Sequence, residues 1–188
     1  MRRLLTLPGD SIWLQQIPAG RLLGLDTIYT MMTRGSTLLL DTNVLLGATD
    51  RSRESHLACS DLFQLPSQTG VHLVTIGQIL REYLVVATRP VAVNGLGLDT
   101  TEAVRNIRAF RTRAHLIPET VEVHAELIAL VESNSLQGKR IHDANVVAAA
   151  TYYRIDGIVT DNAGDYAGIS QVRVLSPFSA VDELRELL

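Results

Sequence analysis

Short apolar runs that alternate with helical segments are the feature that most constrains the fold of this chain. Residues 38–40 are three consecutive leucines, and such a continuous run is typical of a strand buried on both faces of a parallel sheet. Residues 71–74, 157–160 and 171–175 are predicted to be further strands. Strands that alternate with helices predict an α/β fold, in which a mainly parallel central sheet is flanked by helices in three layers.

Helical periodicity and capping residues place helices between these strands. Predicted helices begin after Asp41 and at Ser176-Pro177, and others cover residues 55–65, 79–86, 99–114, 119–132 and 140–150. Proline at position 66 is expected to end the second of them. Two of these helices are predicted to begin with a capping box, formed by Thr75 with Gln78 and by Asp99 with Glu102.

The predicted helix over residues 119–132 has an apolar side. Val121, Ala125, Ile128 and Val131 recur at helical spacing along it. This side is therefore expected to face the core.

Residues 1–36 differ from the rest of the chain because they show neither strand nor helix periodicity and are interrupted by proline and glycine. Two interpretations remain open: a weakly ordered extension, or a natural start at Met31 or Met32 with the preceding residues assigned in error. Residues 37–188 are predicted to form one domain, which agrees with ordinary domain sizes.

Composition limits the classes of function. The net charge of -3 and the pI of about 5.9 argue against a protein that holds long nucleic acids by bulk electrostatics. Cys59 is the single cysteine, so an internal disulfide is excluded and a reducing, cytoplasmic location is expected. No apolar run approaches the roughly 18 residues that a membrane-spanning helix requires, so no membrane association is expected.

Four carboxylates occupy positions that the predicted fold brings together. Asp41 and Asp161 each follow a predicted strand, while Glu82 and Asp143 lie on helices that flank the sheet. Strand ends and helix starts meet at one edge of a parallel sheet, so the four acids are expected to converge there. A helix cap for Asp41 and a solvated position for Glu82 are the structural alternatives.

Four clustered carboxylates would repel one another, and a divalent cation removes that repulsion. Oxygen ligands without cysteine suit hard ions, so Mg²⁺ or Mn²⁺ is the expected cofactor. Such a site suits hydrolysis of a phosphodiester.

Several short motifs together resemble the PIN-domain ribonucleases, most closely the VapC-type toxins of toxin–antitoxin pairs. The resemblance covers residue 37 to the C-terminus, and its motifs are Leu40-Asp41-Thr42-Asn43-Val44-Leu45, Glu82, His142-Asp143-Ala144, Val159-Thr160-Asp161-Asn162 and Asp165-Tyr166. These toxins usually start a few residues before the first acid, whereas 40 residues precede Asp41 here.

The resemblance implies roles for individual residues. It implies that Asp41, Glu82, Asp143 and Asp161 are the catalytic, metal-binding acids. Asn43 and Thr160 are expected to support those acids or to position substrate, and Asp165 occupies a position that is often acidic in the family. His142 is interpreted either as a proton shuttle or as a residue of the helix start that touches the sheet.

The implied activity is metal-dependent endonucleolytic cleavage of RNA by a toxin. The implied partners are RNA, a cognate antitoxin whose tail lies across the site, and a second copy of the chain in a homodimer. A DNA or flap-type nuclease of the same architecture and a non-catalytic RNA-binding protein are the alternatives. Arg105, Arg108 and Arg111 recur every third residue, which is typical of a solvated helix face or of a ridge that contacts phosphates.

Overall fold

The computed structural model describes residues 31–188 of the chain. The predictions made for residues 1–30 lie outside this part. The elements follow in the order β1 (Thr37–Leu40), α1 (Thr42–Thr49), α2 (His56–Asp61), α3 (Pro66–Thr69), β2 (His72–Ile76), α4 (Gly77–Thr88), a 3-10 helix (Val91–Val93), α5 (Thr100–Arg111), β3 (Ala114–Ile117), α6 (Val121–Asn134), α7 (Arg140–Tyr152), β4 (Gly157–Val159), a 3-10 helix (Ala163–Tyr166), β5 (Arg173–Leu175) and α8 (Pro177–Arg185).

The five strands form one sheet in the order β3-β2-β1-β4-β5, and every neighbouring pair is parallel. Right-handed crossovers from β1 through β2 to β3 place α1, α2, α4 and α5 on one face of the sheet. The connection from β3 to β4 runs in the opposite direction, so α6 and α7, which pack against each other, cover the other face. The α/β fold predicted from the sequence is therefore confirmed.

β1 lies at the centre of the sheet, between β2 and β4. Its residues Leu38, Leu39 and Leu40 are at most 1% exposed. A central strand covered by helices on both faces has no polar side, which is why this segment is a continuous apolar run. Leu39 pairs with Val74, two residues before the end of β2, and Leu40 pairs with Val159, the last residue of β4, so both neighbouring strands end close to the residue that follows β1.

The edge strand β3 corrects the sequence prediction. The helix that was expected to reach residue 114 ends at Arg111, and Ala114–Ile117 pairs with β2 instead. Ala114 and Ile117 are buried whereas His115 and Leu116 are exposed. This burial pattern is not the alternation that identifies a strand in a sequence, so the strand is specified mainly by its partner.

Two predicted helix boundaries were also wrong. α2 ends at Asp61, and Pro66 begins the short helix α3 instead of ending a longer helix, which agrees with the preference of proline for the first helical turn. Thr75 belongs to β2 and does not cap α4, whose cap residue is Ile76. Gln78 is therefore not part of a capping box, whereas the predicted cap of α5 by Asp99 is confirmed by a 2.8 Å hydrogen bond from Glu102 N.

α6 presents a different face to the core from the predicted one. Val121 is 79% exposed and Ile128 is 58% exposed, whereas Val123 is fully buried. Leu127 and Leu130, at helical spacing from Val123, pack against the core, and of the predicted residues Val131 also packs there. The sequence of α6 is apolar on more than one side, so its periodicity alone did not identify the face that packs.

The packed structure includes residues before β1. The side chain of Met32 is buried in the core, and its backbone N donates a 3.1 Å hydrogen bond to Glu183 Oε2. Arg173 NH1 donates to the same oxygen at 2.8 Å, so the carboxylate joins β5, α8 and the segment before β1. Within residues 31–188, no helix is long and apolar enough to cross a membrane.

Candidate metal centre

The predicted site residues lie where the chain reverses its direction across the sheet. β1 is followed along the chain by its neighbour β2, whereas its other neighbour, β4, is reached only after β3. In an open α/β sheet, ligands bind outside the carboxyl ends of the strands at such a switch point. Asp41 follows β1 and Thr160 follows β4, so both occupy this position.

Asp41 is held by several hydrogen bonds in the structure. Its Oδ1 accepts from Thr42 N at 2.6 Å, which makes Asp41 the cap of α1. Its Oδ2 accepts from Thr160 Oγ1 at 2.8 Å and from Asn43 Nδ2 at 3.1 Å. The capping interpretation and the convergence at the sheet edge therefore both hold for this residue.

Asn43 and Thr160 also bind each other. Asn43 Nδ2 donates to Thr160 Oγ1 at 2.8 Å, and Asn43 Oδ1 accepts from Asp161 N at 2.9 Å. Thr160 is fully buried, so its hydroxyl has a fixed set of partners. The two residues join the end of β4 to the start of α1 and orient the Asp41 carboxylate.

Burial raises the pKa of Asp41 above its ordinary value. Hydrogen bonds from Thr160, Thr42 and the hydroxyl of Tyr166 oppose this rise in the pKa, and the Glu82 carboxylate adds to it. Tyr166 is 3% exposed and lies in the 3-10 helix that follows β4. Burial and the Asp41 carboxylate raise the pKa of the Tyr166 phenol. The phenol therefore stays protonated and can donate a hydrogen bond to Asp41.

Asp143 lies in the first turn of α7, as predicted. The helix behind it is buried from Ala144 to Ala150, and these small side chains allow α7 to pack closely on α6. Burial raises the pKa of Asp143 to about 6, and the carboxylates of Asp165, Asp41 and Glu82 contribute to the rise, while His142 opposes it. Asp143 therefore lies in the negative field of three other acids.

Glu82 lies on α4 with a donor on each oxygen. Thr42 Oγ1 donates to its Oε2 at 2.8 Å, and Gln78 Nε2 donates to its Oε1 at 2.8 Å. His142 Nδ1 is 3.6 Å from the same Oε1 and its side chain is exposed. Glu82 is therefore a fixed residue of the site and not a freely solvated side chain, which was the structural alternative.

The remaining two acids differ in position. Asp161 accepts a 2.6 Å hydrogen bond from Ser55 Oγ through its Oδ2, and it is exposed. Asp165 is exposed in the 3-10 helix after β4 and contributes to the raised pKa of Asp143. Asp41, Glu82, Asp143 and Asp165 thus interact electrostatically, while the carboxylate of Asp161 is directed towards α2.

The chemistry of the donor set fits a hard divalent cation. The side chains that converge supply carboxylate oxygens, and a cation would remove the mutual repulsion that adds to the effect of burial on the pKa of Asp143. In the part of the chain that is described, no group of three or more His, Cys, Asp or Glu side chains forms a ready metal site. Coordination by three carboxylates therefore requires a change of side-chain rotamers.

Arg105, Arg108 and Arg111 lie exposed along α5. Arg105 NH2 is 3.5 Å from Glu102 Oε1, one turn earlier on the same helix. Their proposed contact with phosphates stays a prediction.

Several residues at the site were not singled out from the sequence. Thr42 and Gln78 hold Glu82, Ser55 holds Asp161, and Tyr166 contacts Asp41. Asn145 was also missed, although a single amide among the buried apolar residues of α7 is itself a signal that it has a hydrogen-bond partner. Ser55 and Thr42 carry no such signal, because hydroxyl residues near helix starts are common caps.

Comparison with solved structures agrees with this architecture. VapBC2 from Rickettsia felis, bound to a DNA fragment from its promoter, contains a chain that matches with a TM-score of 0.58 and 14% identity, covering 74% of this chain and 98% of that chain. DNA-bound VapBC from Salmonella typhimurium matches with a TM-score of 0.56 and 15% identity, covering 76% and 98%. VapC20 from Mycobacterium tuberculosis, described as a toxin that cleaves the sarcin–ricin loop, matches with a TM-score of 0.53 and 16% identity, covering 72% and 98%.

No family model matches the sequence, and no curated protein matches it. At the identities of the structural matches, the likeness establishes a common fold. The protein therefore shares the PIN-domain α/β fold of VapC toxins, as its motifs predicted.

Proposed function

We propose that the protein is a Mg²⁺- or Mn²⁺-dependent endoribonuclease and the toxin of a toxin–antitoxin pair. The observation that carries this proposal is the convergence of Asp41, Glu82 and Asp143 at the carboxyl edge of the sheet, where burial and the neighbouring acids raise the pKa of Asp143. Oxygen donors in this arrangement suit a hard cation, and the shared fold with VapC structures supports a nuclease.

The chain's own residues have distinct roles in this proposal. Asp41, Glu82 and Asp143 would hold the cation, and Asp161 would join them after its carboxylate leaves Ser55. Asn43 and Thr160 orient Asp41, and Thr42 orients Glu82 through its hydroxyl. When bound, the cation supplies Lewis-acid activation of water and of the scissile phosphate.

His142 lies beside Glu82, where it can assist the reaction. Its exposed imidazole lies 3.6 Å from Glu82 Oε1, so a protonated ring would form an ion pair with that carboxylate. Solvent can reach the ring, which suits proton exchange with water during hydrolysis.

The test is cleavage of RNA by the purified protein in the absence of other proteins. With Mg²⁺ or Mn²⁺ present, labelled RNA is expected to be cut internally, and EDTA is expected to abolish the cut. Single-stranded and flap DNA of matched sequence serve as controls for the alternative nuclease. Undiminished RNA cleavage in EDTA, or cleavage of DNA alone, would overturn the proposal.

The exposed arginines of α5 are proposed to position RNA. Replacing Arg105, Arg108 and Arg111 together with Ala is expected to weaken RNA binding equally for different sequences. The slope of log affinity against log salt is expected to fall by about 2, because single-stranded nucleic acid releases about 0.7 counterions per lost contact. Binding measured at several salt concentrations decides between this role and a merely solvated face, which leaves the slope unchanged.

The proposed partners are an antitoxin and a second copy of the chain. A toxin that hydrolyses RNA needs an inhibitor in the cell, and the product of a small reading frame immediately upstream is expected to copurify with this protein and to block cleavage. An apolar stripe on α6 supports self-association, since Val121 and Ile128 are 79% and 58% exposed. Sedimentation velocity on the Val121→Asp/Ile128→Asp variant is expected to give a monomer where the parent gives a dimer.

A further inference from the structure

Two buried side-chain amides lie between Glu82 and a second carboxylate, Glu119. Gln78 is 8% exposed and Asn145 is 7% exposed, so neither amide can rely on bulk water for its hydrogen bonds. Asn145 Nδ2 donates to Glu119 Oε1 at 2.8 Å and to Gln78 Oε1 at 2.7 Å. Gln78 Nε2 donates to Glu82 Oε1 at 2.8 Å and to the carbonyl oxygen of His142 at 3.1 Å.

The direction of these hydrogen bonds is determined by Glu119. An ionised carboxylate only accepts, so Asn145 must present its NH₂ group to Glu119. The same NH₂ group then donates to the Gln78 oxygen, which leaves the NH₂ group of Gln78 for Glu82. Rotating either amide by a half turn would bring acceptor against acceptor and leave buried polar groups unsatisfied.

Glu119 is itself held at the start of α4. Its Oε2 accepts from Gln78 N at 3.2 Å, where a negative charge is favoured by the helix dipole, and it lies 3.9 Å from Arg81 NH2. A Cβ atom at Gly77 would lie 2.8 Å from this oxygen, so glycine leaves the space that Glu119 occupies. The carboxylate thus binds two elements, α4 and α7, from the segment that leads into α6.

We infer that Gln78, Asn145 and Glu119 form a positioning relay that orients the Glu82 carboxylate towards the site. The inference deepens the proposed function and rests on it, because orienting Glu82 matters for cation binding only if Glu82 is a ligand. The relay places a donor on Glu82 Oε1, while Thr42 places a donor on Oε2, so both oxygens are fixed. It also ties Glu82 to the start of α7, which carries Asp143, through the carbonyl of His142.

Two near-isosteric variants separate the relay from general stability. Gln78→Met removes both donors that act on Glu82 and His142. Glu119→Gln keeps the shape, but the backbone N–H of Gln78 still requires an oxygen, so the new NH₂ group faces Asn145 and reverses both amides. Either variant is expected to weaken Mn²⁺ binding by about 10-fold, as loss of an orienting partner does at other metal sites.

The main measurement is the Mn²⁺ concentration that gives half of the maximal thermal stabilisation. KM for RNA is measured beside it. Both variants are expected to keep the parental KM for RNA and to need a higher Mn²⁺ concentration for cleavage. The double variant Gln78→Met/Glu119→Gln is expected to bind Mn²⁺ as tightly as Gln78→Met alone, because Glu119 acts through Gln78. Arg81→Gln is the matched control, since it removes the ion pair of Glu119 and leaves the relay intact.

A second measurement needs neither metal nor activity. In EDTA, the side-chain NH₂ protons of Gln78 and Asn145 are expected to exchange slowly in nitrogen-resolved NMR spectra, and Glu119→Gln is expected to shift both resonances. If the parent binds Mn²⁺ and both variants bind it equally well, the relay is wrong. If the parent neither binds Mn²⁺ nor cleaves RNA, the proposed function fails, and unshifted amide resonances in Glu119→Gln would then overturn the relay separately.

Discussion

Replacing Asp143 with Asn is expected to lower the rate of RNA cleavage by about 100-fold or more, because it removes a negative charge from the proposed cation site. Asn has nearly the same size and polarity, so the first turn of α7 is expected to form as in the parent. Asp41→Asn is expected to act in the same way, since Asn is also a good helix cap. Initial rates at several Mn²⁺ concentrations measure the effect.

In the absence of metal, Asp143→Asn is expected to be at least as stable as the parent. The pKa of Asp143 rises from 3.8 to about 6 on folding, so the folded state binds the proton more tightly than the unfolded chain. The parent therefore loses stability as the pH rises from 3.8 to about 6, and the variant lacks this loss. In EDTA, the two proteins are expected to have the same melting temperature below this pH range, and Asp143→Asn is expected to have the higher melting temperature above it.

Asp182→Asn is the matched control for both measurements, since Asp182 is an exposed residue of α8 with a side chain that is 76% exposed. It is expected to cleave RNA at the parental rate and to melt at nearly the parental temperature. The central claim is contradicted by a folded Asp143→Asn protein that cleaves at the parental rate and keeps the parental stabilisation by Mn²⁺.

Replacing Glu183 with Met is expected to lower the free energy of unfolding by about 3 kcal/mol, because it breaks a largely buried ion pair and removes the acceptor of the Met32 backbone N–H. Glu183 accepts from Arg173 through both oxygens and from Met32 N at 3.1 Å. The variant is expected to loosen the segment before β1 together with β5 and α8. Urea unfolding measures the loss, and hydrogen exchange at Met32 N reports its location.

Two further variants test the origin of that loss. Glu186→Met changes an exposed carboxylate one turn later at the end of α8, and it is expected to alter the free energy of unfolding little. The double variant Arg173→Met/Glu183→Met is expected to recover much of the stability, since an apolar pair often replaces a buried ion pair without loss. A single Glu183→Met variant as stable as Glu186→Met would show that the ion pair does not hold these elements together.

The central strands and the helices beside them could be predicted from the sequence. Continuous apolar runs identified β1 and β4, because strands buried on both faces must be apolar throughout. The positions of Asp41, Asp143 and Thr160 followed from these elements, since topology brings strand ends and helix starts to one edge. The parallel pairing of β1 with its neighbours therefore determines the position of the site as well as the order of the strands.

Edges and exposed faces could not be predicted in this way. β3 has neither a continuous apolar run nor an alternating pattern, and it becomes a strand by pairing with β2. α6 is apolar on two sides, so only its packing on α7 shows that Val123 is buried and Val121 is exposed. In both cases the local sequence permits more than one arrangement, and long-range contacts select one of them.

The sequence by itself determined which elements bring acids to this edge of the sheet, because each acid is fixed in position by the element that carries it. Only the tertiary structure decided how their side chains are oriented. Asp161 is bound to Ser55, and Glu82 is bound to Thr42 and Gln78, through partners that are distant along the chain. The physical reason is that a hydrogen bond between side chains forms only if the distance between their elements is correct to within a few tenths of an ångström. Residue spacing along one element carries no such information.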